Sequence, residues 1–363
     1  MVKILSIVGA RPQFIKAAPM SRALRARHQE VLVHTGQHYD DNMSEVFFRE
    51  LDIPPPEHHL GIGSGSHGTM TGAMLPAIEA VILEEKPDLV LVYGDTNSTL
   101  AGALAAAKLQ TPVAHVEAGL RSFNRSMPEE INRVVADHLS ELLLCPSETA
   151  VSNLAAEGIT RGVWMVGDVM ADTLLHSMER ARQESNVLER MQLSQKGFIL
   201  ATIHRPYNTD HPERLGQVAA GLGSAGMPVV FPVHPRTGRA LQNQGLDLGQ
   251  HPNILACPPL GYLDMVRLEQ AARLVVTDSG GVQKEAYWAH TPCLTLRPDT
   301  EWVETIEAGW NRLVASDAQV IRQAIGAVST PGTHPELYGD GHAAARMVQV
   351  MEDWLQDRGL IQR

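Results

Sequence analysis

Cysteine is scarce. The 363-residue chain has three, Cys145, Cys257 and Cys293, far apart and with no CxxC pair. That spacing excludes a zinc ribbon and a disulfide framework. No run approaches the roughly eighteen consecutive apolar residues of a membrane span. The opening MVKILSIVGARPQF turns polar too early for a signal peptide. An excess of positive charge is missing too: 30 Lys and Arg stand against 41 Asp and Glu, for a net charge of −11. An acidic chain is a poor nucleic-acid coat, although a local Arg and Lys cluster can still hold an anionic substrate. These absences predict a cytoplasmic, soluble protein with no nucleic-acid partner and no membrane insertion.

Several cofactor motifs are also lacking. There is no P-loop, no GxSxG and no DxD triplet. GIGSGSHG (61–68) looks like a dinucleotide loop, with Gly63, Gly65 and Gly68 at GxGxxG spacing, but it follows no convincing strand, which argues against NAD. His58-His59 has no carboxylate at metal-ligand spacing. No cofactor and no metal are expected.

What is present is an alternation of short apolar runs and helical segments. Val2–Val8, Val31–His34, Asp88–Tyr93, Pro112–Val116, Leu142–Cys145 and Val163–Val166 read as strands, and most are followed by a loop and a helix. The pattern restarts with Phe198–Ile203, Val229–Val233, Leu274–Thr277 and Cys293–Leu296. Such near-continuous apolar strands between helices predict parallel sheets covered on both faces. A chain this long exceeds what one core usually supports. The expected architecture is α/β, with two doubly wound, Rossmann-like parallel-sheet domains and a cleft between them. Residues 1–168 form the first domain and 169–345 the second. A C-terminal helix over 346–363 is free to pack back on the first.

Ligands of doubly wound sheets bind beyond the carboxyl ends of the strands, so the residues there are the candidates. The first half offers Arg11, Lys16, Asp95, Glu117, Arg121 and Glu129, and is richer in carboxylates. The second offers His204, Arg205, His234, Arg236, Asp278, Ser279, Glu285 and Arg297, and is richer in anion binders. In TDSGGVQKEA (277–286), Gly280 and Gly281 let backbone N–H groups approach a phosphate at a helix N-terminus. Glu285, a turn further on, is placed to accept ribose hydroxyls. A tight turn with Ser279 as a plain N-cap would give the same pattern. Neighbouring carboxylates such as Asp95, Glu117 and Glu129 suit acid–base work, since each shifts the other's proton affinity. A carboxylate in a helix first turn is also favoured by the dipole alone, which applies to Glu130 as well as Glu129.

Together GARPQFIK, YGDTNST, HVEAGLRS, PEEINR and TDSGGVQKEA stand in the order and spacing of the non-hydrolysing UDP-N-acetylglucosamine 2-epimerases, and the chain resembles that family over nearly its whole length. The resemblance implies the two-domain GT-B architecture and inversion at C2 of a UDP-2-acetamido sugar. UDP is eliminated as the C2 proton leaves, giving a 2-acetamidoglucal, and adds back while a proton arrives on the opposite face. Position by position, it makes Asp95, Glu117 and Glu129 the catalytic carboxylates and His204 the histidine of the catalytic site. Arg11 and Lys16 become cleft cations, and Arg205 the arginine of an HR pair. Ser279, Gly280, Gly281 and Glu285 become the UDP site, with Arg297 a further anion binder after a strand. Gln37 and His38 match a region that in some members binds a second UDP-sugar as activator. A homodimer is implied as well.

The chain departs from the commoner members at GARPQ for GTRPE, GQHYDDNMS for GQHREM, HRPYN for HRREN, and TEWVE for TERPE, where Trp302 replaces an arginine. These changes are expected near the sugar and activator sites, as His234 is. GARPQFIK, GQHYDDNMS, HVEAGLRSFN and DTEWVE are closer to the branch acting on UDP-2,3-diacetamido-2,3-dideoxyglucuronate, which makes that sugar the first candidate substrate. UDP-N-acetylglucosamine is the second. A GT-B glycosyltransferase and a silent nucleotide-sugar sensor are the readings from other classes, and the carboxylate set argues against both.

Overall fold

A computed structural model describes residues 1–37, 51–63 and 65–360, apart from the side chain of Arg11. The chain divides into two compact units, one formed by Met1–Thr173 with Tyr338–Arg363, the other by Leu174–Leu337. The crossings thus fall at 173/174 and 337/338, where the sequence reading put 168/169 and 345/346. No described helix is long and apolar enough to cross a membrane.

The first unit holds a seven-stranded parallel sheet: β1 Lys3–Val8, β2 Gln29–His34, β3 His58–His59, β4 Leu89–Tyr93, β5 Val113–Val116, β6 Leu142–Cys145 and β7 Val163–Met165. Its order is β3-β2-β1-β4-β5-β6-β7. β4 and β5 are buried at every residue, because helices cover both faces. The Ala-rich Asn97–Lys108 helix lies very close to the sheet. A Cβ on Gly102 would come within 2.8 Å of Ile7 Cδ1 and 3.0 Å of Val92 Cγ1, so glycine is what allows that approach. The Ala343–Asp357 helix packs in this unit. Asp172 accepts from the backbone N–H of Ala343 (3.0 Å) and Ala344 (2.8 Å), while Glu352 meets Arg27 at 2.8 Å and His28 at 3.0 Å.

The second unit holds a six-stranded parallel sheet: β8 Ile199–Thr202, β9 Val229–Pro232, β10 Ile254–Cys257, β11 Leu274–Thr277, β12 Cys293–Thr295 and β13 Asn311–Leu313. Its order is β10-β9-β8-β11-β12-β13. β3, β10 and β13 were not anticipated, and all three are edge strands. An edge strand needs no apolar run on both faces, and only the first of the four β10 residues is fully buried.

Chain order reverses beside β1 in the first sheet and beside β8 in the second. The loops after β1 and β4, and after β8 and β11, therefore flank the two switch points, where such sheets open to ligands.

Candidate active site

In the first unit, β1 runs into a turn at Gly9. A Cβ there would lie 2.1 Å from Thr35 Oγ1 and 2.2 Å from Ser98 Oγ, so only glycine fits. Gln13, in the first turn of the Arg11–Arg25 helix, accepts from Gly9 N–H (2.7 Å) and Ala10 N–H (3.1 Å). Its amide also donates to the Tyr93 carbonyl (2.9 Å) and to Thr99 Oγ1 (3.1 Å). One buried amide thus ties the β1 turn to the end of β4. Gln13, one of the departures expected near the sugar and activator sites, has both ends of its amide engaged at this turn. Gln37 has a similar role, its Oε1 accepting from Ser98 N–H (3.0 Å) and Ser98 Oγ (2.8 Å) at the start of the next helix. His38 and the Arg11 side chain lie outside the described residues.

Asp95 follows β4 directly. Its side chain is 31% exposed and pairs with Arg133, and its carbonyl accepts from Asn132 Nδ2 at 2.9 Å. Arg133 also reaches Glu130 at 3.1 Å. Glu130 in turn accepts from Ser122 N–H, Ser122 Oγ and Phe123 N–H, each at 2.9 Å. The dipole alone could not separate Glu129 from Glu130, but the structure does: Glu130 is buried and committed to this network, while Glu129 stays partly exposed on another face of the Pro128–Leu139 helix. Phe123 is held at φ +57° and is 76% exposed, an uncommon backbone for a bulky residue.

Glu117 follows β5 and is buried, with φ +70°. A non-glycine residue in the left-handed region costs on the order of 1 kcal/mol or more and recurs at functional sites. Its carboxylate pairs with Lys16. Both sit against Gly94, where a Cβ would be 3.1 Å from Glu117 Oε2 and from Lys16 Nζ. Behind this turn His115 reaches the Gly94 carbonyl (2.7 Å) and Asp137 (2.7 Å). Burial works to raise the Asp137 carboxyl, but His115 and Arg121 outweigh it and hold it below the ordinary range. Arg121, a candidate for the cleft, is instead locked between Asp137 and Glu157, both at 2.7 Å. The sequence reading missed His115 and Asp137. The available signal was a polar residue inside an otherwise apolar strand.

In the second unit, the backbone N–H groups of His204 and Arg205 after β8 donate to Asp278 after β11, at 2.9 and 3.0 Å. Asn208 Nδ2 donates to the same carboxylate at 2.9 Å. The His234 ring lies tilted by 35° against His204, with centroids 5.1 Å apart, and its Nδ1 accepts from Arg236 N–H at 3.1 Å. Arg236 pairs with Asp210 at 2.8 Å.

The Gly280–Trp288 helix opens directly behind Asp278. Ser279 stands at its N-cap, and its side chain makes no capping bond. Glu285 is buried one turn in. Arg297 is buried after β12. Desolvation disfavours its charge, but Glu301 and Asp299, both at 3.0 Å, more than offset it and the guanidinium stays cationic. Trp302 is buried beneath the glycine turn, with Lys284 Nζ 3.7 Å above its ring.

Carboxylates and cations at one switch point, and a glycine turn opening a helix beside His, Arg and Ser at the other, on two doubly wound sheets, define a nucleotide-sugar protein of the GT-B type. The profile of the UDP-N-acetylglucosamine 2-epimerase family matches residues 22–352, and the chain belongs to that family. It is 50% identical to a UDP-N-acetylglucosamine 2-epimerase homolog of Methanococcus maripaludis, over 97% of this chain and all of that one. It is 49% identical to the UDP-2,3-diacetamido-2,3-dideoxy-D-glucuronate 2-epimerase of Pseudomonas aeruginosa, over 96% and 99%. The crystal structure of Methanocaldococcus jannaschii UDP-GlcNAc 2-epimerase in complex with UDP-GlcNAc and UDP superposes with a TM-score of 0.89, at 41% identity, over 97% and 99% of the two chains.

Proposed function

We propose that this enzyme inverts C2 of UDP-2,3-diacetamido-2,3-dideoxyglucuronate to give the manno epimer. The likeness to the Pseudomonas aeruginosa enzyme supports this substrate, as do the loops GARPQFIK, HVEAGLRSFN and DTEWVE.

The C2 proton is not alpha to a carbonyl, so direct deprotonation is prohibitive. Removing it while the C1–O bond to UDP breaks spreads the charge onto a good leaving group and yields a 2-acetamidoglucal. Re-addition of UDP at C1, with a proton delivered to the other face of C2, completes the inversion. Two faces need two proton-handling groups, and we assign these roles within the carboxylate set Asp95, Glu117 and Glu129. The left-handed backbone of Glu117 and the Arg133 contact to Asp95 support this, since both hold a carboxylate in a set direction. Lys16 keeps the charge of Glu117 compensated.

Departing UDP needs fixed positive charge and N–H donors. We assign these to Arg205, Arg297 and the Ser279-Gly280-Gly281 turn, with His204 beside the diphosphate and Glu285 on the ribose. The uncapped Ser279 hydroxyl and the absence of any hydrogen-bond partner for Arg297 Nη1 among the described residues support that reading. A cytoplasmic homodimer goes with it, which light scattering would test.

Proton NMR of the purified enzyme in deuterium oxide, with each UDP sugar in turn, decides the matter. Epimerisation of the diacetamidoglucuronate with deuterium entering C2 is the expected result. Turnover of UDP-N-acetylglucosamine alone would reassign the substrate. Turnover with C2 fully protiated would end the elimination mechanism.

A further inference from the structure

We infer that Asp278 is a positioning residue that sets His204 in the reaction proposed above. The inference rests on that reading for its link to turnover. The carboxylate of Asp278 is wholly buried. Oδ1 accepts the His204 backbone N–H at 2.9 Å. Oδ2 accepts it at 3.2 Å, together with the Arg205 N–H at 3.0 Å and Asn208 Nδ2 at 2.9 Å. Every partner is a donor, and only an acceptor-only carboxylate satisfies them all.

The far side of this arrangement is fixed as well. Asn208, itself fully buried, donates to the Leu296 carbonyl at 3.0 Å and accepts from Ser316 Oγ at 2.6 Å. The strands that carry the two loops are joined just beneath, where Thr202 Oγ1 and Thr277 Oγ1 lie 2.7 Å apart. The Ser279 N–H also donates to Thr277 Oγ1 at 3.0 Å. A single side chain therefore spans the switch point of this sheet. It ties the loop bearing His204 to the loop that opens the glycine turn.

The link is electrostatic as well as geometric. His204 Nδ1 lies 3.8 Å from Asp278 Oδ1, too long for a hydrogen bond but close enough for a charge to be felt. Among the described residues, the ring of His234 also faces His204, with the centroids 5.1 Å apart.

Asp278→Asn tests this. The amide keeps the shape, removes the charge and turns an NH2 group towards donors. Three quantities are read: kcat and KM on the sugar that the unaltered enzyme epimerises, and the NMR titration of the His204 ring in the free protein. The expected result is a kcat at least about tenfold lower, KM within about threefold, and a His204 midpoint moved to lower pH, since a neighbouring negative charge favours imidazolium. An unmoved His204 midpoint, or a kcat within about twofold of the unaltered enzyme, overturns the inference. If Asp278→Asn does not fold, Asn208→Ala decides. It must lower kcat and shift the His204 ring resonances, and unchanged values of either overturn the inference. Failure of the unaltered enzyme to epimerise any UDP sugar would sink the proposed function separately, because the His204 titration needs no substrate.

Discussion

Lys16 and Glu117 form a buried ion pair although 101 positions of chain separate them. One stands on the first helix and the other just past the fifth strand. Deleting one partner of such a pair leaves a buried charge uncompensated, which costs roughly 3–5 kcal/mol. Lys16→Met should therefore lower unfolding free energy by about 3 kcal/mol in denaturant titration, and turnover should fall with it. A Lys16→Met protein as stable and active as the original would remove Lys16 from the site.

Arg133 bridges Asp95 and Glu130 with two arms of one guanidinium. Lysine has a single ammonium and cannot reproduce that fork. Arg133→Lys is expected to fold, to keep its UDP affinity, and to lose about tenfold in kcat, or ~1.4 kcal/mol of transition-state stabilisation. Calorimetry with UDP and the deuterium-exchange assay check the two halves. Equal loss of UDP binding would mean that Arg133 holds more than Asp95.

His34 predicts a pH dependence of stability. It is buried between the rings of Phe14 (5.1 Å) and His59 (4.7 Å). Burial, and then the proximity of His59, push its imidazole down to about 4. In the unfolded chain it titrates near 6.5. As pH falls below that value the unfolded state binds a proton that the folded state refuses until about pH 4, so stability declines through this window and levels off below it. The contribution between pH 7 and pH 5 is about 2 kcal/mol. Guanidinium titrations at the two pH values should show His34→Leu losing less stability than the original chain. Equal losses would assign the dependence elsewhere.

Gly280→Ala probes the phosphate turn. The added Cβ would fall 2.6 Å from Glu301 Oε1, and Glu301 is held by Arg297 at 3.0 Å. Either the turn or the Glu301–Arg297 pair must move. UDP affinity is expected to drop at least about tenfold by calorimetry. Unaltered affinity would place the diphosphate away from this turn.

The strands that carry the site could be read from the sequence because both of their faces are covered, and covered strands demand continuous apolar runs such as DLVLVY and LVVT. Strands β3 and β13 escaped notice because they are runs of two and three residues with polar side chains, while β10 (ILAC), as long and apolar as β6, was simply missed. Gln13, Arg121 and Glu130 show another limit. Each looks unpartnered as a polar residue near a strand end, and each is bonded to groups from other parts of the chain.

What the sequence determined alone was the two-sheet grammar, the strand ends where chemistry belongs, and the motif set that marks the family, because periodicity and short motifs are local properties. Only the tertiary structure decided which polar groups pair with which. Glu117 acquires Lys16, Asp95 acquires Arg133, and Asp278 acquires the His204 loop through contacts spanning 101, 38 and 74 positions. Whether a buried polar group has a partner depends on what packing brings within about 3 Å, and no local pattern carries that distance.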